Sequence, residues 1–373
     1  MSSSTRLRRI AVESAFALSI LFLLFAIAEG GLRLIRDDSP LASTAGTANS
    51  DRRDASLSGL PILHSTADLA RPNIRGANAG ALYETNSAGF RGPEYAPERA
   101  ADVFRVAVIG DSTAMGWGVE REDTFAARVE RVINSPTSFL SPPSSVSDEH
   151  ASPLRFEVLN FALAGLDAGG VAQRFEQLAL RFQPNLVIYA FTLNDIKGEH
   201  YRRSLDRDYA DSLRQNDSAI QLWRWARPRW LALRELLFAP RGTYAGELDD
   251  NYFNNPEAWR ALSDHLARIA ALSEQRDICR ILLINAQIQS LHAFHPYRRH
   301  YAAVAELGRS HGFYPAQSIE RLQGEAAAAY WVGPNDWHAN ARGHAVLAEV
   351  ALETLESLPP KCWNPATPST PAL

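Results

Sequence analysis

The sequence predicts a three-layer α/β/α domain built on a mostly parallel five-stranded sheet, preceded by an amino-terminal transmembrane helix. Three observations carry that expectation. Short β-branched and aromatic runs alternate with amphipathic segments of helical period, and the run Leu186 to Phe191 is apolar throughout, as a strand covered on both faces must be. Arg6, Arg8 and Arg9 precede an almost unbroken apolar stretch from Ala15 to Ala28. Strands alternating with helices in this way imply parallel β-α-β units with right-handed crossovers. With 373 residues and 46% apolar content, the chain is large enough to bury one substantial core with insertions.

Taken to Ile35, the amino-terminal helix is long enough to cross a bilayer, since about 20 residues span roughly 30 Å of hydrocarbon. The arginines favour a cytoplasmic amino terminus and an exported body. Ala26-Ile27-Ala28 also has the small-residue spacing of a signal cleavage site, which leaves a secreted body as the alternative. Residues 1–36 are therefore read as anchor or signal. Residues 37–80, rich in Ser, Ala, Asp and Thr, read as a linker, 81–360 as the folded domain and 361–373 as a tail. The net charge is -4 although five arginines fall within the first 36 residues, so the body is acidic, which argues against a nucleic-acid partner. The two cysteines, Cys279 and Cys362, exclude a disulfide-dense scaffold and a four-cysteine zinc site. Both fall at the amino-terminal edge of the expected sheet, and a bridge between them stays open.

The first core strand is Val103 to Ile109, which ends abruptly in Gly110-Asp111-Ser112 and delivers a serine onto a tight turn. Upstream, Asn86 to Arg91 supplies a turn and a bulky anchor. Thr124 caps a helix with Phe125, Val129, Val132 and Ile133 on one face, and Ser135 to Pro153 is a Ser/Pro-rich surface insertion. A second strand, Phe156 to Asn160, leads through Phe161 to Gly165 into a helix with Val171, Phe175, Leu178 and Phe182 inward. The third strand ends in Thr192-Leu193-Asn194-Asp195. An insertion at about 196–255 interrupts the alternation. Its Leu222 to Trp230 stretch interleaves Arg and Trp and suits a packing helix over the site, or an interfacial helix on lipid headgroups. Pro256 starts a helix bearing Leu262, Leu266, Ile269 and Leu272, Ile281 to Ile284 is the fourth strand, and a weaker fifth lies near Phe313-Tyr314.

Chemistry gathers at the carboxyl ends of these strands. Ser112 is the candidate nucleophile, although a Gly-Asp-Ser triplet alone is a weak signal, because serines there also cap helices. Asp336 and His338 stand two apart before the last helix, so in an extended segment they project to one side. The carboxylate can then fix the imidazole tautomer while the other ring nitrogen takes the serine proton, or both residues only cap and pack the helix. Acyl transfer also needs donors for the developing oxyanion, and the backbone amides of Ser112 and Gly165 and the side-chain amide of Asn194 are the candidates. His292, His295 and His300 crowd the loop after the fourth strand without a carboxylate or cysteine beside them, which reads as pocket rim or surface rather than a metal site. His344, within the last helix, reads as structural. No metal or cofactor is expected.

Gly110-Asp111-Ser112 with Gly116 and Gly118, Asn160 to Gly165, Asn194-Asp195, and Asp336-Trp337-His338 with Asn340, Gly343 and His344 together resemble the SGNH (GDSL-like) hydrolase superfamily, in particular its membrane-anchored bacterial branch. Asn86 to Arg91 also resembles a segment upstream of the serine in that branch. The similarity runs from roughly Ala81 to Leu358. It implies a flavodoxin-like sheet, Ser112 as nucleophile, His338 as base, Asp336 as its acid and Ser112, Gly165 and Asn194 as the oxyanion hole, with Asp111 structural. Two positions depart from the pattern. Thr192 stands where the third block usually has glycine, which narrows the pocket or shifts Asn194, and the acid lies two rather than three residues before the histidine, where this chain has Asn335.

The implied activity is an exported serine esterase acting on a small acyl ester, O-acetyl on a cell-envelope glycan being the expected substrate. An O-acyltransferase, a lipase or thioesterase, and a non-catalytic glycan-binding component are the alternatives.

Overall fold

The computed structural model describes residues 24–30, 57–135, 154–196, 222–223, 230, 244–289, 291–333 and 336–363. Their strands are β1 (Arg75–Asn78), β2 (Ala81–Glu84), β3 (Val103–Gly110), β4 (Arg155–Asn160), β5 (Leu186–Phe191), β6 (Cys279–Ile284), β7 (Tyr314–Gln317), β8 (Trp331–Gly333) and β9 (Asp336–Ala339). The principal helices are α1 (Thr66–Leu69), α2 (Ser112–Met115), α3 (Phe125–Ile133), α4 (Ala168–Gln177), α5 (Tyr244–Asp249), α6 (Pro256–Glu274), α7 (Arg298–Ser310), α8 (Ile319–Leu322) and α9 (Ala341–Glu356).

Five strands pair in parallel in the order β4-β3-β5-β6-β7. This is the flavodoxin-like order, whose topological switch lies between the first and third strands of the sheet, here β3 and β5. Side chains alternate across it. Phe104, Val106 and Val108 of β3, with Ile188, Ala190 and Leu283, pack on α3 and α9 through Phe125, Val129, Leu347 and Leu355. Ala107 and Ile109, with Val187, Tyr189, Phe191 and Leu282, pack on α4, α6 and α7 through Val171, Phe175, Leu266, Ile269 and Val304. Burial on both faces is why these strands read as continuous apolar runs rather than as alternation. Arg105 is the exception on β3, and its buried guanidinium pairs with Glu157 of β4 at 2.8 Å and donates to the carbonyls of Pro97 and Phe182.

The folded body starts earlier than the expected boundary at Ala81. Helix α1 and strand β1 lie within the stretch read as linker, β1 pairing antiparallel with β2, with Leu63 and Leu69 buried and the Tyr83 hydroxyl donating to the Leu69 carbonyl at 2.9 Å. Of the expected membrane helix, only residues 24–30 are described, as helix. Among the described residues no helix is long and apolar enough to cross a membrane, and the rest of the expected anchor lies outside them. Most of the 196–255 insertion, with residues 224–229, also lies outside the described residues. Its carboxyl end, α5 with the π-helical turn Asp250–Asn254, is part of the core through Ala245, Leu248 and Tyr252.

Cys279 and Cys362 form a disulfide across a sequence separation of 83, fastening the first residue of β6 to the turn after α9. Closing a loop of that size stabilises the fold by about 4.5 kcal/mol on a chain-entropy account. The tail is therefore anchored past Lys361, and Trp363 packs on Phe104 with ring centroids 5.4 Å apart.

Candidate active site

Strand β3 ends at Gly110, whose φ of 153° sits where a Cβ would meet the Ala190 carbonyl oxygen at 2.6 Å and Ala114 Cβ at 2.8 Å. A larger residue would push this turn off the sheet. Asp111 caps α2 by accepting from the Thr113 amide at 2.9 Å, which sets Ser112 as the first helical residue. Arg91, from the segment singled out upstream of the serine, is buried beneath the loop that follows. Its guanidinium donates to the carbonyls of Leu82, Met115, Gly116 and Val119 at 2.6–3.2 Å, and burial lowers its pKa to about 10.

The histidine and the acid come from the other end of the chain. Strands β8 and β9 form a short antiparallel hairpin, and β9 holds Asp336 and His338 on one side of an extended backbone. His338 Nε2 lies 2.9 Å from Ser112 Oγ, and His338 Nδ1 lies 2.6 Å from Asp336 Oδ1, which also accepts from the His338 amide at 3.1 Å. The other carboxylate oxygen accepts from Trp117 Nε1 at 2.9 Å. Trp117 also stacks on the imidazole, with centroids 5.3 Å apart and planes 27° from parallel. Burial pushes the Asp336 carboxyl up, but the hydrogen bonds and charge of His338 and the Trp117 donor outweigh it and hold it below the usual carboxylate range. The acid therefore stays ionised, its partner nitrogen carries the proton, and Nε2 is left to accept from Ser112. Asn335, the alternative acid position, lies outside the described residues.

The three oxyanion candidates stand at neighbouring strand ends. The amides of Ser112 and Gly165 donate to no acceptor among the described residues. Gly165 has a φ of 90°, a conformation that favours glycine. The Asn194 side chain stands close enough to the Asp111 carboxylate to favour its ionised form. Its loop is held from behind by Tyr252, whose hydroxyl donates to the Leu193 carbonyl at 2.9 Å.

Thr192 does not narrow the pocket. It is 8% exposed, and its hydroxyl donates to Asp111 Oδ1 at 3.2 Å while its amide donates to Asp195 Oδ2 at 3.2 Å. Asn285 Nδ2 lies 3.4 Å from the same hydroxyl, and Tyr189 donates to Asp195 at 2.9 Å. Behind the serine turn there is thus a buried polar chain. Burial, and then the neighbouring Asp111, push Asp195 well above the ordinary carboxylate range, so it is held neutral while it accepts from Tyr189 and Thr192.

Two of the three loop histidines are not a rim. His295 and His300 are each 1% exposed, His295 Nε2 lies 3.0 Å from the Tyr301 hydroxyl, and His300 packs among Tyr252, Phe253 and Tyr297. Among the described residues no cluster of ligating side chains could hold a metal ion. His344 is fully buried and accepts from the Phe125 amide through Nδ1 at 3.1 Å, joining α9 to the start of α3. Trp117 is the site residue that sequence reasoning missed. Its one signal is its place between Gly116 and Gly118, seven residues after the end of the apolar strand that delivers the serine.

A flavodoxin-like strand order places the four quoted sequence blocks at one sheet edge, with serine, histidine and carboxylate in hydrogen-bonding line. This arrangement has the parts that nucleophilic acyl transfer needs. No protein-family model matches the chain, and no curated protein matches it. Among solved structures it is similar to TesA at 16% identity, over 67% of this chain and 97% of that one, with a TM-score of 0.35. It is similar to the psychrotrophic esterase EstA from Pseudoalteromonas sp. at 11%, over 68% and 96%, with a TM-score of 0.39. A catalytic mutant of Axe2, an acetylxylan esterase from Geobacillus stearothermophilus, is similar at 14%, over 68% and 94%, with a TM-score of 0.38. Likeness at these levels carries no argument about activity, which rests on the geometry.

Proposed function

We propose that the chain is a serine esterase of the SGNH type that cleaves small acyl esters through an acyl-enzyme. The observation that carries this reading is the continuous line from Asp336 through His338 to Ser112, with the backbone N–H groups of Ser112 and Gly165, which donate to no acceptor among the described residues, at neighbouring strand ends. Ser112 Oγ attacks the acyl carbonyl as its proton passes to His338 Nε2, and the oxyanion forms against the amides of Ser112 and Gly165 and the Asn194 side chain. The ester C–O bond then breaks, and His338 returns its proton to the leaving alcohol. Water, activated by the same imidazole, attacks the acyl-enzyme to release the acid and restore Ser112.

The finer reading is a domain outside the cytoplasm, tethered by the amino-terminal helix, that removes O-acetyl groups from an envelope glycan. Arg6, Arg8 and Arg9 before the apolar stretch support export, and the Cys279–Cys362 disulfide suits an oxidising compartment.

The test is hydrolysis of para-nitrophenyl acetate, butyrate and octanoate by the chain, beside Ser112→Ala and His338→Ala. Turnover of the acetate, lost by about 10³-fold or more in both variants, is expected of this mechanism. Equal turnover in parent and Ser112→Ala would remove the reading, and a preference for octanoate would replace the deacetylase with a lipase.

A further inference from the structure

Gly165 donates its N–H to the oxyanion only if the peptide joining it to Ala164 is turned the right way. That peptide is exposed to error. In a turn with a glycine at positive φ, the whole peptide plane can rotate by about 180° at little steric cost, because glycine accepts both resulting conformations. Flipped, the group facing the substrate would be a carbonyl oxygen, which repels an oxyanion. Neighbouring residues are held, Leu163 by its amide on the Gly110 carbonyl at 3.1 Å and Phe161 by the Arg174 guanidinium on its carbonyl at 2.5 Å. Neither bond touches the Ala164–Gly165 peptide.

One bond does. Thr66 Oγ1 donates to the Ala164 carbonyl oxygen at 2.8 Å, from a residue 98 positions earlier. A trans peptide is planar with its C=O and N–H pointing opposite ways, so a bond that fixes the carbonyl fixes the amide as well. The donor itself is well placed. Helix α1 is capped by Ser65, whose hydroxyl accepts from the Asp68 amide at 3.0 Å, and Leu69 is fully buried in the same core as Leu163 and Ala164. We propose that Thr66 is a positioning residue for catalysis: it aims the Gly165 N–H into the oxyanion hole by holding the opposite end of the same peptide. The inference rests on the esterase reading above. It gives the segment ahead of the sheet a direct part in the chemistry, since Thr66 lies outside all the sequence blocks at the strand ends.

Thr66→Val keeps the side-chain shape and removes the donor, whereas Thr66→Ser keeps the donor and loses a methyl group. Two readouts separate the proposal from the reading beneath it. The first is kcat and KM on para-nitrophenyl acetate. The second is the rate at which a fluorophosphonate labels Ser112, in which Ser112 Oγ bonds to phosphorus, fluoride leaves and His338 takes the serine proton; this step uses the same oxyanion hole and needs no knowledge of the natural ester. Deleting one oxyanion donor outright costs about 10²–10³ in kcat, and a peptide free to flip retains the donor part of the time, so Thr66→Val is expected to lower kcat and the labelling rate by about tenfold with KM within twofold. Thr66→Ser is expected to stay within about threefold of the parent in both. A Thr66→Val chain of unchanged thermal midpoint that labels and turns over like the parent would overturn the proposal. So would a serine variant as slow as the valine one. A parent chain that takes no label at Ser112 would instead remove the esterase reading, and this inference with it.

Discussion

The two halves of the site are built differently. The nucleophile turn is over-determined: a glycine that nothing else can replace, a capping carboxylate, and a buried arginine that spans four carbonyls. The histidine and acid stand on a short hairpin at the surface, with side chains 33% and 30% exposed. The hairpin is tied by Asn340, which donates to the carbonyls of Ala329 and Trp331 at 3.0 and 2.9 Å and caps α9 with its other end. Trp331 adds a bond from its indole to the Ile288 carbonyl at 2.8 Å. The difference follows from what each half must do. A nucleophile has to be presented at one point, whereas an imidazole that gains and loses a proton in each cycle must reach water and still keep one orientation. That orientation is supplied by Asp336 and Trp117 rather than by burial.

If the hairpin depends on polar contacts, breaking its charge should cost the most. Asp336→Asn is expected to lower kcat by about 10⁴-fold, because an amide can present its N–H to His338 Nδ1 and so favours the tautomer that cannot accept from Ser112. Near-equal thermal midpoints of variant and parent, with the kinetics lost, would place the effect in the chemistry. A fall of less than tenfold would mean that the imidazole is oriented by stacking on Trp117 rather than by the carboxylate.

A second contrast lies within the same stretch of chain, between two histidines. His338 faces a carboxylate and water. His344 is sealed under α3, and burial, with the charges of Arg91, Arg128 and His338 adding to it, lowers its pKa to about 3. In the unfolded chain such a group binds a proton near pH 6.5. Between about 6.5 and 3 the unfolded state therefore holds more protons, so stability falls as the pH falls, by up to about 1.4 kcal/mol per pH unit for this one group. Urea unfolding of His344→Gln and parent across that range checks the sign. The variant should be less stable near neutrality, having disturbed the bond to the Phe125 amide, and should show a shallower acid limb. Parallel limbs would mean that His344 is not the group that titrates.

The same contrast explains what the sequence could reveal. The five sheet strands are legible because burial on both faces forces apolar runs, and Ser112, Asp336 and His338 because several polar blocks occur in one order, at strand ends and ahead of the last helix, although each block alone has a structural use. The hairpin β1–β2 and α1 are not legible. The helix and each strand are four residues long, too short for a period to declare itself, and α1 and β1 fall in a stretch whose composition is that of a linker. The burial of His300 was hidden for a related reason: Tyr252 and Phe253, which cover it, come from the end of the insertion, beyond the range of any local pattern. The disulfide needed coordinates because spacing alone says nothing of whether two thiols at one sheet edge meet. Thr192 looked like a departure at the pocket wall, and its inward turn to Asp111 is visible only once β3 and β5 lie side by side.

Trp117 gives the finest test of the contrast, since it belongs to the nucleophile turn yet acts on the hairpin. Trp117→Phe keeps a ring against the imidazole and removes the one N–H that reaches Asp336 Oδ2. Hydrogen bonds to charged groups contribute about 1.5–3 kcal/mol, and only the part gained as the imidazolium forms affects the rate, so a fall in kcat of about tenfold with little change in KM is expected. The pH profile supplies the sign. Without that donor the Asp336 pKa moves up, so its ionised form is lost at a higher pH on acidification and the acid limb of kcat/KM shifts in the same direction. A variant with reduced kcat and an unshifted limb would make the indole a spacer for His338, and would leave the acid to be positioned by the hairpin alone.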